Sequence, residues 1–229
     1  MMQTLVDCTE ADEDQPRLGL FYGFSGYGKT VAAAYAAALS GGIYIEAKSL
    51  WNARTVLERL AVELGLIKLE RTQARLLHQI IDEINRAPRP IIIDEMDHLV
   101  KKLIVDVIRD IHDATSIAIL MIGEEALPTK LKEWDRFDNR ILVAQPAQPA
   151  SAEDALLLRN HYGLADLISD DLAMYFAEKC RGVTRRIVNN LKAAKRLANT
   201  EGVDHMDRLW WGNRPVSSGE IPTRRSMGA

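Results

Sequence analysis

Gly23-Phe24-Ser25-Gly26-Tyr27-Gly28-Lys29-Thr30 fits the pattern G-x-x-x-x-G-K-[ST], and the rest of the chain is read outward from it. Glycines let the backbone curl so that successive N–H groups face inward and form a nest for the terminal phosphates of a nucleotide. Lys29 would neutralise those phosphates, and the Thr30 hydroxyl would hold Mg²⁺. The context agrees. Leu18 to Tyr22 is a short apolar run before the loop, and the alanine-rich stretch from Val31 to Leu39 after it predicts a helix whose positive end faces the same anions. The candidate nucleotide-binding residues here are Gly23, Ser25, Gly26, Tyr27, Gly28, Lys29 and Thr30, with ATP and Mg²⁺ as the expected cofactors.

A second stretch completes the chemistry. Pro90-Ile91-Ile92-Ile93-Asp94-Glu95-Met96-Asp97 is an aliphatic strand ending in acids, the form of a central parallel strand covered on both faces. Ligands sit at the C-terminal ends of such strands. Asp94 is therefore the candidate partner of Thr30 in the metal shell, and Glu95 the candidate base that deprotonates an attacking water.

Other strands are expected at Ile43 to Ala47, Ile117 to Ile122 and Ile141 to Ala144, with helices between them. That alternation predicts an α/β fold with a doubly wound, five-stranded parallel sheet. Residues 1–16 are acidic and weakly periodic and read as a flexible lead-in to a nucleotide-binding core over 17–145. Gln145 to Ala150 reads as a proline-stiffened linker. Beyond it no strand signal appears, and helices over about 152–161, 170–180 and 184–199 predict a small all-helical lid within 146–200. Residues 201–229, rich in Gly, Pro, Ser and Arg, are expected to be a largely unstructured tail.

Composition narrows the class. The chain has 229 residues, 47% of them apolar, and a formal charge of −3, so it can build a real core but does not coat nucleic acid by bulk charge. No apolar run reaches membrane-spanning length, and the acidic N-terminus is unlike a signal peptide, so no membrane partner and a cytoplasmic location are expected. Cys8 and Cys180 have neither metal-ligand spacing nor a disulfide framework.

Taken in order, the glycine loop, the acid-ended strand, an arginine at position 136 or 140 and a helical lid with Gly182-Val183-Thr184-Arg185 resemble the AAA+ ATPases over about Gly19 to Asn199. The resemblance implies that Arg185 contacts the nucleotide of its own subunit. It also implies that Arg136 or Arg140 is a finger reaching the nucleotide of a neighbour. Within the family, the segments Val107 to Thr115 and Leu120 to Glu125 look like the transposition ATPases, the phage Mu B protein and its relatives TniB and TnsC. That likeness implies a DNA-binding ATPase that self-associates into a filament or ring on duplex DNA and activates or directs a transposase. The position near Glu124, polar and neutral in many AAA+ proteins, is acidic here. Two regions are candidates for sequence-independent phosphate contact: Lys48, Trp51 and Arg54 after the second strand, and Lys192, Lys195 and Arg196 on one face of the last lid helix. The alternative is an ATPase switch of similar architecture acting on protein partners in secretion or defence.

Overall fold

Apolar runs bounded by loops supply the strands, and the computed structural model describes residues 1–12 and 14–219. By their contacts the residues fall into two units, Met1–Ser25 with Lys29–Ala147, and Gly26–Gly28 with the chain from Gln148 onward.

The first unit opens with helix α1 (Met2–Thr9), then β1 (Leu18–Tyr22), α2 (Lys29–Ser40), β2 (Ile43–Glu46), α3 (Ala53–Glu63), α4 (Gln73–Arg86) and β3 (Ile91–Asp94). A single 3-10 turn at Met96–His98 leads to α5 (Lys102–Thr115), β4 (Ile119–Gly123), the short helices α6 (Leu127–Leu131) and α7 (Asp135–Asp138), and β5 (Ile141–Pro146). All pairings are parallel, in the order β2-β3-β4-β1-β5. Every residue of the central strands β3 and β4 is buried, whereas β5 lies at an edge and is half-exposed to exposed. Alternation along the strands sorts the core by face. Ile43, Ile45, Ile91, Ile93, Ile119 and Met121 pack with the apolar sides of α3, α4 and α5. Ile92, Leu120 and Ile122 pack on the other face with Leu5 of α1 and Ala33, Ala36 and Ala37 of α2. Side-chain caps start α3 and α4: Asn52 accepts the Thr55 N–H at 3.0 Å, and Thr72 accepts the Arg75 N–H at 3.4 Å.

Two segments differ from the sequence expectation. Much of the acidic lead-in is helix α1, which packs on β1, β4 and β5 with Leu5 and Cys8 buried. Gly19 of β1 makes the approach possible, since a Cβ there would lie 2.7 Å from Cys8 Sγ. The expected linker starts later than its prolines suggest. Gln145 and Pro146 finish β5, and the Ala147 N–H donates to the Tyr22 carbonyl at 2.7 Å.

The second unit is built from α8 (Ala152–His161), α9 (Asp170–Lys179), α10 (Thr184–Glu201) and α11 (Arg208–Trp211). A capping box opens α8, with Ser151 Oγ accepting the Asp154 N–H and Asp154 accepting the Ser151 N–H at 3.1 and 2.8 Å. The core joins Leu172 and Phe176 to Ile187, Leu191 and Ala194. It also takes in Met206 and Trp211, which lie in the stretch expected to be unstructured. Trp211 stacks edge-on to Phe176 with ring centroids 5.0 Å apart, and Asp207 caps α11 by accepting the Trp210 N–H at 2.6 Å. Further along, the amide of buried Asn190 brackets Ser217, accepting its N–H at 2.9 Å and donating to its carbonyl at 3.2 Å. The rest of the expected tail, 220–229, lies outside the described residues.

Candidate functional site

Between β1 and α2 the glycine loop takes up backbone angles that only glycine adopts without strain, φ being 89° at Gly26 and 80° at Gly28. Lys29 folds back over the loop, its Nζ donating to the carbonyls of Gly23 at 2.6 Å and Phe24 at 2.9 Å. An ammonium is thus held beside the backbone nest. Ser25 and Thr30 are exposed, and Tyr27 is half-exposed. Gly26–Gly28 group with the second unit, where Gly26 accepts the backbone N–H of Arg185 at 3.0 Å. The Arg185 side chain is exposed in the first turn of α10.

Asp94 closes β3 on the sheet face that carries α2, two residues after Ile92. It is only 1% exposed. Its Oδ1 accepts the Glu95 N–H at 2.8 Å, and its Oδ2 accepts the Tyr44 hydroxyl at 3.2 Å. Burial first, and then the Asp94 carboxylate, push the Tyr44 phenol far above its ordinary range, so it stays a donor. Glu95 occupies the left-handed region, φ 55° and ψ 38°, which a non-glycine residue enters at a cost of about 1–2 kcal/mol. Among the described residues its carboxylate has no hydrogen-bond or ionic partner. A strained, unpartnered acid directly after a central strand fits a group kept for chemistry rather than for packing.

The donors suit magnesium. No cationic side chain among the described residues pairs with Asp94, and an uncompensated buried carboxylate is costly. A divalent cation offsets that cost, and the exposed Thr30 hydroxyl is a second hard oxygen. No cluster of three or more His, Cys, Asp or Glu occurs among the described residues. A magnesium ion held there would take the rest of its shell from water and phosphate oxygens, as is usual for this ion.

Sequence reasoning missed Tyr44 and Asp97. Asp97, its side chain 8% exposed, joins the end of β3 to the end of β4. It accepts the Glu124 N–H at 2.6 Å and the Lys130 Nζ at 2.7 Å. The ordering contact at Glu124 therefore runs through its backbone. Gly123 makes room for it, since a Cβ there would lie 2.3 Å from Asp97 Oδ2. The strand-end position of Asp97 is visible in the sequence, but its partners lie 27 and 33 residues away.

The expected arginines separate. Arg140 is clamped in its own chain by Asp113, Nε to Oδ1 at 2.6 Å and Nη2 to Oδ2 at 2.7 Å, and it also donates to the Arg136 carbonyl. Arg136 is exposed at α7, and its guanidinium makes no hydrogen bond or ion pair among the described residues. The two basic regions also differ. Trp51 packs half-buried on the main core, and Lys48 pairs with Glu46. Arg54 binds Glu58 at 2.7 Å and the carbonyls of Glu70 and Arg71 at 3.0 and 2.8 Å, tying α3 to the loop before α4. Lys192, Lys195 and Arg196 are all exposed on α10, with Lys192 Nζ 4.9 Å from the centre of the Tyr162 ring.

A family model described as the AAA domain matches residues 12–131, just over half of the chain. The chain belongs to the AAA domain family. It is similar to the Mu-like prophage FluMu DNA transposition protein B of Haemophilus influenzae. The two are 24% identical over 156 residues, which cover 64% of this chain and 54% of that protein. Among solved structures, the Aeropyrum pernix ORC2 protein in its ADPNP-ADP complexes superposes with a TM-score of 0.71 at 16% identity, over 90% of this chain and 63% of that one. The Aeropyrum pernix ORC1 protein in complex with DNA gives 0.66 at 17% identity, over 91% and 61%. The AAA domain protein thus spans about half the length of the transposition protein and under two thirds of each solved chain. No helix among its described residues is long and apolar enough to cross a membrane.

Proposed function

We propose that this AAA domain hydrolyses ATP and uses the nucleotide cycle to control binding to duplex DNA and activation of a transposase. The observation that carries the reading is the positive-φ glycine loop with its folded-back Lys29, together with the buried Asp94 and with Glu95, unpartnered among the described residues. In this reading Lys29 exchanges two backbone carbonyls for the terminal phosphates of ATP. Loop N–H groups take up further phosphate oxygens. Magnesium, when bound, screens the phosphate charge, with Asp94 and Thr30 holding its shell. Glu95 accepts the proton of the water whose oxygen forms the new bond to the γ-phosphorus as the bridging P–O bond breaks and ADP leaves. Arg136, whose guanidinium has no partner among the described residues, acts on the nucleotide of a neighbouring copy, so the active form is self-associated. Arg185 attends the nucleotide of its own subunit.

Support for DNA comes from the similarity to a DNA transposition protein, from the DNA complex of a structural relative, and from the exposed cations of α10. The test is binding of a fluorescent duplex at about 50 and 200 mM salt with ATP, ADP or no nucleotide. Binding is expected to require ATP, to tolerate any sequence and to weaken steeply with salt. Absence of duplex binding with ATP at low salt would discard the DNA function and favour an ATPase acting on protein partners.

A further inference from the structure

On the sheet face that carries α2, β2 places one hydroxyl against the end of β3. Tyr44 stands opposite Ile92 in the register, and its half-buried ring packs with the cluster of Leu5, Ala36 and Ile92. Packing thus orients the hydroxyl that reaches Asp94 Oδ2 at 3.2 Å, while the Glu95 N–H holds Oδ1 at 2.8 Å. Among the described residues each carboxylate oxygen has one donor. Glu46, the register partner of Asp94 on β2, is already paired with Lys48.

We propose that Tyr44 is a positioning residue for Asp94, fixing the carboxylate plane so that its remaining lone pairs are offered to the magnesium shell in one orientation. The proposal rests on the nucleotide-site reading above. Rotation of an aspartate about χ2 is soft, so a carboxylate with a single donor samples several orientations. Hydrogen-bonded partners of metal-holding groups typically contribute about 10–100-fold to metal affinity or activity. For the loss of one donor out of two, the hydroxyl, the lower end, about tenfold, is taken as the expected size.

The test compares the parent, Tyr44→Phe, Asp94→Asn and the double variant, measuring affinity for a fluorescent ATP analogue in EDTA and across a magnesium titration. Tyr44→Phe keeps the ring and is expected to bind the analogue in EDTA as the parent does. It should need about tenfold more magnesium for the same gain in affinity. In the Asp94→Asn background the same change should add nothing, because the group it positions is gone. Tyr44→Met, which removes the hydroxyl with a different packing partner, should reproduce the shift even if the phenylalanine variant folds poorly. A magnesium titration of Tyr44→Phe that overlays the parent's, or equal losses with and without magnesium, would leave Tyr44 a packing residue and overturn the proposal. A parent that gains no affinity from magnesium overturns the metal site itself and the positioning role with it.

Discussion

Glu95 sits where the backbone disfavours a side chain. A side chain in the left-handed region would normally be relieved by glycine, yet the position after Asp94 keeps a carboxylate with no hydrogen bond or ion pair among the described residues. Glu95→Gln preserves shape while removing the proton acceptor. Steady-state ATPase assays should show a loss of about 10²- to 10⁴-fold with nucleotide affinity retained, and parent-rate turnover would transfer the role to another group. His112 shows a second consequence of a single environment. Its Nε2 accepts the Arg17 N–H at 3.1 Å, so the neutral ring carries its proton on Nδ1, facing Asp113 at 3.4 Å without a proper hydrogen bond. Burial lowers the His112 pKa, only partly opposed by Asp113. Burial would raise Asp113, but Arg140 more than offsets it, leaving that carboxyl below its ordinary range. Both folded-state values are depressed, so both groups contribute stability above their unfolded pKa values and lose it as pH falls. The histidine part should fade below about pH 6.5 and the aspartate part below about 4. Melting curves at pH 7.5 and 5.5 should therefore differ less for His112→Gln than for the parent. An identical acid shift in both would show that His112 does not titrate on unfolding.

At the scale of elements, the sequence makes legible whatever is encoded locally. The loop, the aliphatic strands and the capping box at Ser151 each lie within a few residues, so local rules suffice. Helix α1 depends on Gly19 fitting Cys8, and the fold of 204–219 depends on Met206, Trp211 and the Asn190 amide reaching a distant core. No window of sequence contains both halves of those interactions. Arginines mislead for a related reason. Arg54 reads as a surface cation, yet it binds two carbonyls and a carboxylate. Arg159 is buried, donating to the Ile168 carbonyl at 2.8 Å and pairing with Asp170 at 2.5 Å. Charged hydrogen bonds of this kind contribute roughly 1.5–3 kcal/mol. Arg54→Ala and Arg159→Ala are accordingly expected to lower unfolding free energy in urea by about 2 kcal/mol each. Unchanged midpoints would show that these hydrogen bonds add nothing to stability.

For the molecule as a whole, a formal charge of −3 works against DNA at long range, so the proposed duplex binding would have to come from a local cationic face. In the stretch after β2, Lys48 and Arg54 are already paired with acids and Trp51 is a core anchor, which leaves little in that stretch to meet phosphates. On α10, Lys195 and Arg196 make no side-chain ion pair among the described residues, and Lys192 rests on an uncharged ring. Those three residues recur at helical spacing and are exposed together, so one stretch of backbone phosphate can meet all of them. Removing one cation that neutralises a phosphate lowers the slope of log affinity against log salt by about one unit. Lys192→Ala with Lys195→Ala should flatten that slope by about two units for every duplex sequence while ATP affinity stays at the parent value. Lys48→Ala should leave the slope unchanged, because its ammonium already has a carboxylate. The opposite pattern, a flatter slope from Lys48→Ala and none from the α10 pair, would move the DNA to the loop after β2 and leave the α10 cations for another surface.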